Sequence, residues 1–401
     1  MKRLLQINVD ANNGSNGSIA RDIGTMALNR GWESMIAYGR RAIPCDSQLI
    51  KVGSDLDVKI HGLQTRMFDN HGRGSYFTTK VFLKKVDKFK PDIVHLHNIH
   101  GYYINYELLF NYLVEKQIPV VWTLHDCWPF TGHCGHFVKW QCVKWLDGCY
   151  NCPASHTYPK SWFIDNSKDN YNVKKCVFTA PSKMHLTTVS NWLKGLVEKS
   201  FLSNFPITVI YDGIDVDEFK SRPSDLRIRL GLENKFILLA AAANWSESKG
   251  WSDYIELSKL LTENYTIVLV GVEKISKQKL PDNIVCIPRQ ESKSDLADYY
   301  SMADVLLSLS YQETFGMTIA EALACGTPAI VYNNTACPEV ISADCGIAVE
   351  SGNLGEVLGA IKVISSKKKD FYSNACRQRV IECFNSKTVN EQFFDIYESF
   401  Y

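Results

Sequence analysis

The chain is expected to be an α/β protein built from two doubly wound domains, each a parallel sheet with helices on both faces. Short apolar runs alternate with stretches of helical periodicity along most of the 401 residues. Several of those runs end in polar residues, as the ligand edge of a parallel sheet should. The alternation restarts near Pro206, which predicts one domain over 1–204 and a second over 205–376.

Taken in order, Arg3–Val9 reads as a first strand, followed by the glycine loop Asn12-Asn-Gly-Ser-Asn-Gly17 and a helix from about Ser18 to Asn29. That is a Rossmann-like opening. Its loop offers only Gly14 and Gly17 in place of G-x-G-x-x-G, which counts against a dehydrogenase. Asp92–His97 and Val120–His125 read as further strands, and Tyr106–Lys116 and Met184–Lys199 as helices. A second set begins with Pro206–Tyr211 and continues through strands at Phe236–Ala242, Tyr265–Val270, Ile284–Ile287, Val305–Leu309 and Pro328–Tyr332. Ile319–Cys325 reads as a helix ended by Gly326-Thr-Pro328.

With 45% hydrophobic and 22% charged residues the composition suits globular domains with sizeable cores. The longest apolar stretch, Phe236–Ala243, is far short of the ~20 residues a membrane span needs. Leu4–Val9 is too short and polar for the core of a signal peptide, so the expected location is the cytoplasm. The net charge of +1 hides an asymmetry, because residues 1–200 carry 25 Lys+Arg against 16 Asp+Glu. A basic amino-terminal half points to an anionic partner, and with no zinc-finger or RNA-binding signature nucleic acid is not expected. Lys80, Lys84 and Lys88 share one helical face, with Val86 and Phe89 as anchors on the other. That segment reads either as a solvated face or as a peripheral contact with the inner membrane surface.

Thirteen cysteines without a secretory signal argue against a disulfide framework. Five crowd into an aromatic-rich insertion over 126–160. Cys134, Cys142 and the Cys149-x-x-Cys152 pair would supply four thiolates to a structural zinc with Cys127 left over, or remain reduced thiols.

The segment Tyr311-Gln-Glu-Thr-Phe-Gly-Met-Thr-Ile-Ala-Glu-Ala places Glu313 and Glu321 on either side of a glycine turn that opens a helix. Helix amino termini leave N–H groups unpaired and carry about half a positive charge, so amides near Phe315, Gly316 and Met317 suit a diphosphate. Carboxylates are good acceptors for the vicinal hydroxyls of a sugar or ribose. Thr318 to Glu321 also fits a capping box, which would make Glu321 structural.

This E-x7-E arrangement resembles family 4 of the glycosyltransferases, most closely the bacterial capsular and colanic-acid type. The likeness extends through Asn12–Gly17, His95–Tyr103, Thr123–His133, Tyr211–Asp215 and Trp245–Gly250. It implies the GT-B architecture, two Rossmann-like domains facing each other across a cleft, with a last helix over 377–401 crossing back to the first domain. It further implies a retaining, metal-independent transfer of sugar from a nucleoside-diphosphate donor to a glycan or lipid-linked acceptor, with no catalytic cofactor. Catalytic roles fall to His125, Lys249 and Glu313. Donor binding falls to Gly14, Gly17, Asn244, Ile287, Phe315, Gly316, Met317, Thr318 and Glu321, and the acceptor to His97, Asn98 and Tyr102. Asp126 is placed to fix the tautomer of His125. Family members often carry arginine where this chain has Asn244, and an amide does not replace a guanidinium on a diphosphate. Rival readings are a metal hydrolase using His95, His97 and His125, a single-domain transferase binding metal through Asp55-Leu-Asp57 or Asp215-Val-Asp217, and a non-catalytic nucleotide-binding protein.

Overall fold

The computed structural model describes residues 1–273, 280–290 and 292–401. The chain divides into two units, one of residues 1–210 with 390–401, the other of residues 211–389.

The first unit holds a seven-stranded sheet of β1 (Arg3–Asn8), β2 (Glu33–Tyr38), β3 (Gln48–Lys51), β4 (Ile93–Leu96), β5 (Val120–Leu124), β6 (Met184–Thr188) and β7 (Ile207–Val209). Its order is β3-β2-β1-β4-β5-β6-β7 with every pairing parallel. Helices α1 (Gly14–Asn29), α2 (Asp55–Phe68), α3 (Tyr76–Phe89), α4 (Tyr106–Glu115), α5 (Ser167–Phe178) and α6 (Asn191–Val197) connect the strands. Leu4, Leu5, Ile7, Ile93, Val94, Leu96 and Val120 to Leu124 are fully or almost fully buried, as continuous apolar runs in a parallel sheet covered on both faces must be. The order runs outward from β1 in both directions, so the chain reverses its progress between β1 and β4. Ligands of such sheets bind beyond the carboxyl ends of the strands at that point.

Two elements differ from the sequence reading here. Met184–Thr188, expected to open a helix, is a strand, because Leu186, Thr187 and Thr188 are buried against β5 while Ser190 accepts a hydrogen bond from Leu193 and starts the helix only there. Thr187 and Thr188 are β-branched and favour the strand. Ile207–Val209 belongs to the first sheet, paired with β6, rather than opening the second set.

The second unit holds β8 (Phe236–Ala241), β9 (Tyr265–Val270), β10 (Ile284–Ile287), β11 (Val305–Ser308), β12 (Ala329–Tyr332) and β13 (Gly346–Val349), in the order β10-β9-β8-β11-β12-β13 and again all parallel. Helices α7 (Leu226–Arg229), α8 (Trp251–Leu260), α9 (Lys293–Met302), α10 (Met317–Ala324), α11 (Cys337–Val340), α12 (Leu354–Lys367) and α13 (Lys369–Cys383) complete it. The Arg377 guanidinium donates to the carbonyls of Val216, Phe219 and Ala324, fixing α13 within this unit. Residues 377–383 thus belong to α13, and the expected last helix, read from Ser386 to Tyr401, is α14 (Ser386–Glu398), which follows a break at Phe384 and Asn385. Within the first unit, Tyr397 near the end of α14 bonds the His95 ring at 2.6 Å.

Both Asp-x-Asp triplets have structural work. Asp57 exchanges hydrogen bonds with Ser54 in a capping box at the start of α2, and Asp215 accepts from the amides of Asp217 and Glu218 at 3.1 Å.

Gly250 sits at φ +76°, and a Cβ there would lie 2.2 Å from the Leu309 carbonyl oxygen. Both the left-handed backbone and the clash oppose a side chain. Gly250→Ala is expected to cost about 2–4 kcal/mol, read as a lower urea midpoint, and an unchanged midpoint would show that the β8 and β11 ends are not held this tightly.

Candidate active site

In the second sheet the reversal lies between β8 and β11, and the loops leaving those two strands carry most of the expected donor residues. The loop after β8 winds into a single 3-10 turn at Glu247–Lys249. It is pinned to the segment after β11, since Ser248 O accepts from the amide of Tyr311 at 2.9 Å and the hydroxyl of Ser310 at 3.2 Å. This brings Lys249 Nζ to 2.6 Å from Glu313 Oε1, with about one third of the lysine and one fifth of the glutamate side chain exposed. Glu313 is fixed in turn by the Thr335 hydroxyl, which accepts from its amide at 3.0 Å. Residues 301–350 contain no lysine or arginine, so this cation comes from the neighbouring loop.

Gly316, at φ +112°, is the residue before α10, and no side chain caps that helix. The capping-box reading of Thr318 and Glu321 is thereby excluded. Glu321 Oε2 instead accepts from the Tyr300 hydroxyl at 2.8 Å. Burial raises the Glu321 carboxyl to about 7, with Tyr300 and then Lys293 opposing the rise. Phe315 is buried against Tyr211 and Phe384, so it supports the turn through its ring. Asn244 does not join the Lys249–Glu313 pair; it lines a separate cavity with Trp245, Trp251 and Gly271. At Ile287 the carbonyl is already used by the amides of Gly271 and Val272 at 2.9 and 3.0 Å, which removes it as a contact for a base edge.

In the first unit, α1 begins at Gly14, four residues earlier than expected, and Gly17 is buried so close to the loop backbone that a Cβ there would lie only 3.1 Å from the Asn12 nitrogen. His125 follows β5 and is almost fully buried. Its Nε2 lies 3.3 Å from His97 Nδ1, and His97 Nε2 lies 3.1 Å from Gln6 Oε1. Burial pushes the His125 imidazole down to about 4, so it is neutral near pH 7. The two oxygens of Asp126 engage the Trp128 amide and the His100 ring, both at 2.9 Å. His97, the expected acceptor contact, is 1% exposed and occupied on both ring nitrogens, so it steadies His125 from behind. Asn98 is half-buried on the same loop, and Tyr102 packs on the His71 ring. His95 bonds Tyr397 and Thr123 at 2.6 and 2.7 Å, so both of its ring nitrogens are taken and it is not open to a hydrolytic metal.

Cys134, Cys142, Cys149 and Cys152 all line one small cavity of the insertion. Cys134 and Cys152 hydrogen-bond to each other, and the Gly132 amide donates to Cys149 Sγ at 3.1 Å. Among the described residues no group of three or more His, Cys, Asp or Glu side chains is arranged to hold a metal ion. All thirteen cysteines are free thiols.

Two family models match the chain in succession, Glycosyltransferase Family 4 over residues 20–218 and Glycosyl transferases group 1 over residues 224–378. The chain belongs to the family 4 glycosyltransferases. The transferase is 23% identical over 372 residues to the putative colanic acid biosynthesis glycosyl transferase WcaC of Escherichia coli K12, covering 86% of this chain and 87% of that protein. It is 24% identical to an uncharacterized 41.2 kDa protein in the cps region of Klebsiella pneumoniae, covering 85% and 89%. Among solved structures, sucrose-phosphate synthase of Thermosynechococcus elongatus superposes with a TM-score of 0.75 at 16% identity, over 100% of this chain and 99% of that one. Anabaena Alr3699/HepE in complex with UDP gives 0.69 at 16% identity over the whole of both chains. The fold is GT-B.

Sequence reading of the transferase passes over Tyr300, which holds Glu321, and Thr335, which holds Glu313. Neither carries a local signal, because each reaches its glutamate across about twenty residues of chain. The Glu321 shift gives a pH prediction. Only the ionised carboxylate accepts from both hydroxyls of a ribose, so UDP affinity is expected to rise about tenfold from pH 6 to pH 8, beyond any change in Glu321→Gln. Calorimetric titration of both proteins checks this, and parallel pH profiles would remove Glu321 from the ribose. For stability the sign is opposite: the carboxyl is raised from 4.5, so its contribution is whole below that value and is lost as the pH rises through about 7.

Proposed function

We propose that the enzyme moves a sugar from a nucleoside diphosphate to a glycan or lipid-linked acceptor in the synthesis of a bacterial surface polysaccharide, with retention of configuration and without a catalytic metal. The observation that carries this reading is the Lys249–Glu313 pair beside the uncapped start of α10, with Glu321 one turn inside. Catalysis of this transfer is largely a matter of holding the charge of the departing diphosphate. An ammonium and the free amides of a helix start supply that charge without a metal ion. Before the donor arrives, Glu313 holds Lys249 in place; a diphosphate then takes over the ammonium, which frees a Glu313 oxygen to accept from sugar hydroxyls. In the first unit the neutral imidazole of His125 offers a hydrogen-bonding group that adds no charge. The relatives named in colanic acid biosynthesis and in a cps region support the polysaccharide assignment, and the UDP complex of HepE supports a uridine donor.

Asn244 favours a second reading, a transferase fold that binds nucleotide without turnover, because no guanidinium stands at that position. Calorimetry with UDP and GDP followed by a donor-hydrolysis assay separates the two. Turnover that survives EDTA is the expected result. Binding with no hydrolysis or transfer from any donor would favour the second reading, and turnover abolished by EDTA and restored by a divalent cation would overturn metal independence.

A further inference from the structure

Helix α2 is amphipathic in the wrong sense for a surface helix. Its buried residues are His61, Gly62 and Thr65, a polar and small set. His61 explains why that face turns inward: its Nδ1 bonds the Ser75 hydroxyl at 2.9 Å and its Nε2 accepts from the amides of Gly72 and Gly74. Leu56, Ile60, Leu63 and Met67, spaced four, three and four apart, therefore form an apolar stripe on the outside.

The stripe does not stand alone. Phe68, at the end of α2, lines one groove with Ile60 and with Tyr76 and Phe77 at the start of α3. The Trp162 amide donates to Arg66 O at 2.7 Å, which brings Trp162-Phe163-Ile164 to the same end of α2. Phe77 is 80% and Phe163 82% exposed. Apolar patches of this extent on a protein surface mark contact with another phase or molecule.

Its surroundings say which. Tyr76–Lys90 carries five lysines against one aspartate, and Lys80, Lys84, Lys85 and Lys88 are all at least partly exposed. The expected anchors Val86 and Phe89 do not take part: Val86 is buried in the core and Phe89 is half-buried, while Phe77 and Val81 face outward. Interfaces between proteins are depleted in lysine, whereas lysines interleaved with Trp, Phe and Leu suit the boundary between lipid headgroups and acyl chains.

We propose that this face of the first unit, made of α2, the start of α3 and the Trp162–Ile164 loop, docks on an anionic phospholipid surface. The apolar side chains enter the headgroup boundary while the lysines of α3 pair with lipid phosphates. No helix among the described residues is long and apolar enough to cross a membrane, so this attachment is to one leaflet.

Co-sedimentation of the full chain with vesicles of phosphatidylcholine, alone and mixed with phosphatidylglycerol, tests the proposal. Binding to the mixed vesicles that weakens with added salt is expected, with little to phosphatidylcholine alone. Phe77→Ser with Phe163→Ser should lower binding about tenfold, and Lys80→Gln with Lys84→Gln and Lys88→Gln should lower both the binding and its salt dependence. Leu260→Ser, at an exposed apolar position of the second unit, should leave binding unchanged. Thermal melting and UDP titration of each variant show that fold and donor site are intact, so the outcome is independent of the proposed transfer reaction. Equal sedimentation with both vesicle types, or variants that bind as wild type does, would overturn the proposal. So would a dimer in ultracentrifugation that Phe77→Ser with Phe163→Ser dissociates while vesicles capture nothing, since the face would then belong to a second copy.

Discussion

Lys249→Ala is expected to lower kcat for sugar transfer by about 10²–10³-fold, the usual loss when one donor to a developing anion is removed. The reason for an effect at the high end is the company the lysine keeps. Its Nζ neutralises Glu313 at 2.6 Å, and alanine would leave that carboxylate beside the departing diphosphate with its partner gone. Charge loss and charge repulsion then act together. Glu313→Ala in the same chain removes the repulsion, so the double variant should be less impaired than the product of the two single losses. The melting temperature should move little, because ion pairs open to solvent contribute about 0–1 kcal/mol and this one is partly exposed. Steady-state kinetics of the three variants with a saturating donor provide the check. A kcat for Lys249→Ala within threefold of wild type would place the phosphates elsewhere.

The second large effect is expected at Glu321. Glu321→Ala should weaken UDP binding by about 10- to 100-fold, the worth of hydrogen bonds to a charged acceptor, while kcat at saturating donor changes less. The Tyr300 hydroxyl complicates the reading, since it is buried and would lose its acceptor. Tyr300→Phe separates the two contributions: it removes the donor, leaves the carboxylate and should weaken UDP binding by no more than about fivefold. An equal loss in both variants would mean that Glu321 acts through the packing of α10 rather than through the nucleotide.

Much of this is legible because its signals are local. Continuous apolar runs give parallel strands buried on both faces, and a glycine before a helix marks an uncapped amino terminus wherever it falls in the fold. Glu313, Gly316 and Glu321 are therefore readable from one segment of twelve residues. Met184–Thr188 reads wrongly as helix because a strand leads within two residues into a helix, and the periodicity of Asn191–Val197 runs back over it without a break. Only pairing with β5 decides that case, and pairing partners are far away in sequence. The same limit hides Tyr300 and Thr335. It also reverses the reading of His97, whose place beside His125 and Gln6 depends on three strands meeting side by side. The outward stripe of α2 is invisible for another reason: periodicity shows that a helix has an apolar face, and only the burial of His61 shows which way that face points.

The sharpest test of the donor site is titration of UDP into wild type and into the Lys249→Ala, Glu321→Ala double variant. A saturable heat is expected for the wild type and, in a variant that melts as a folded protein, a loss of affinity of at least about 100-fold. Undiminished binding in the double variant would contradict the assignment and remove the nucleotide from the end of β11 and the start of α10.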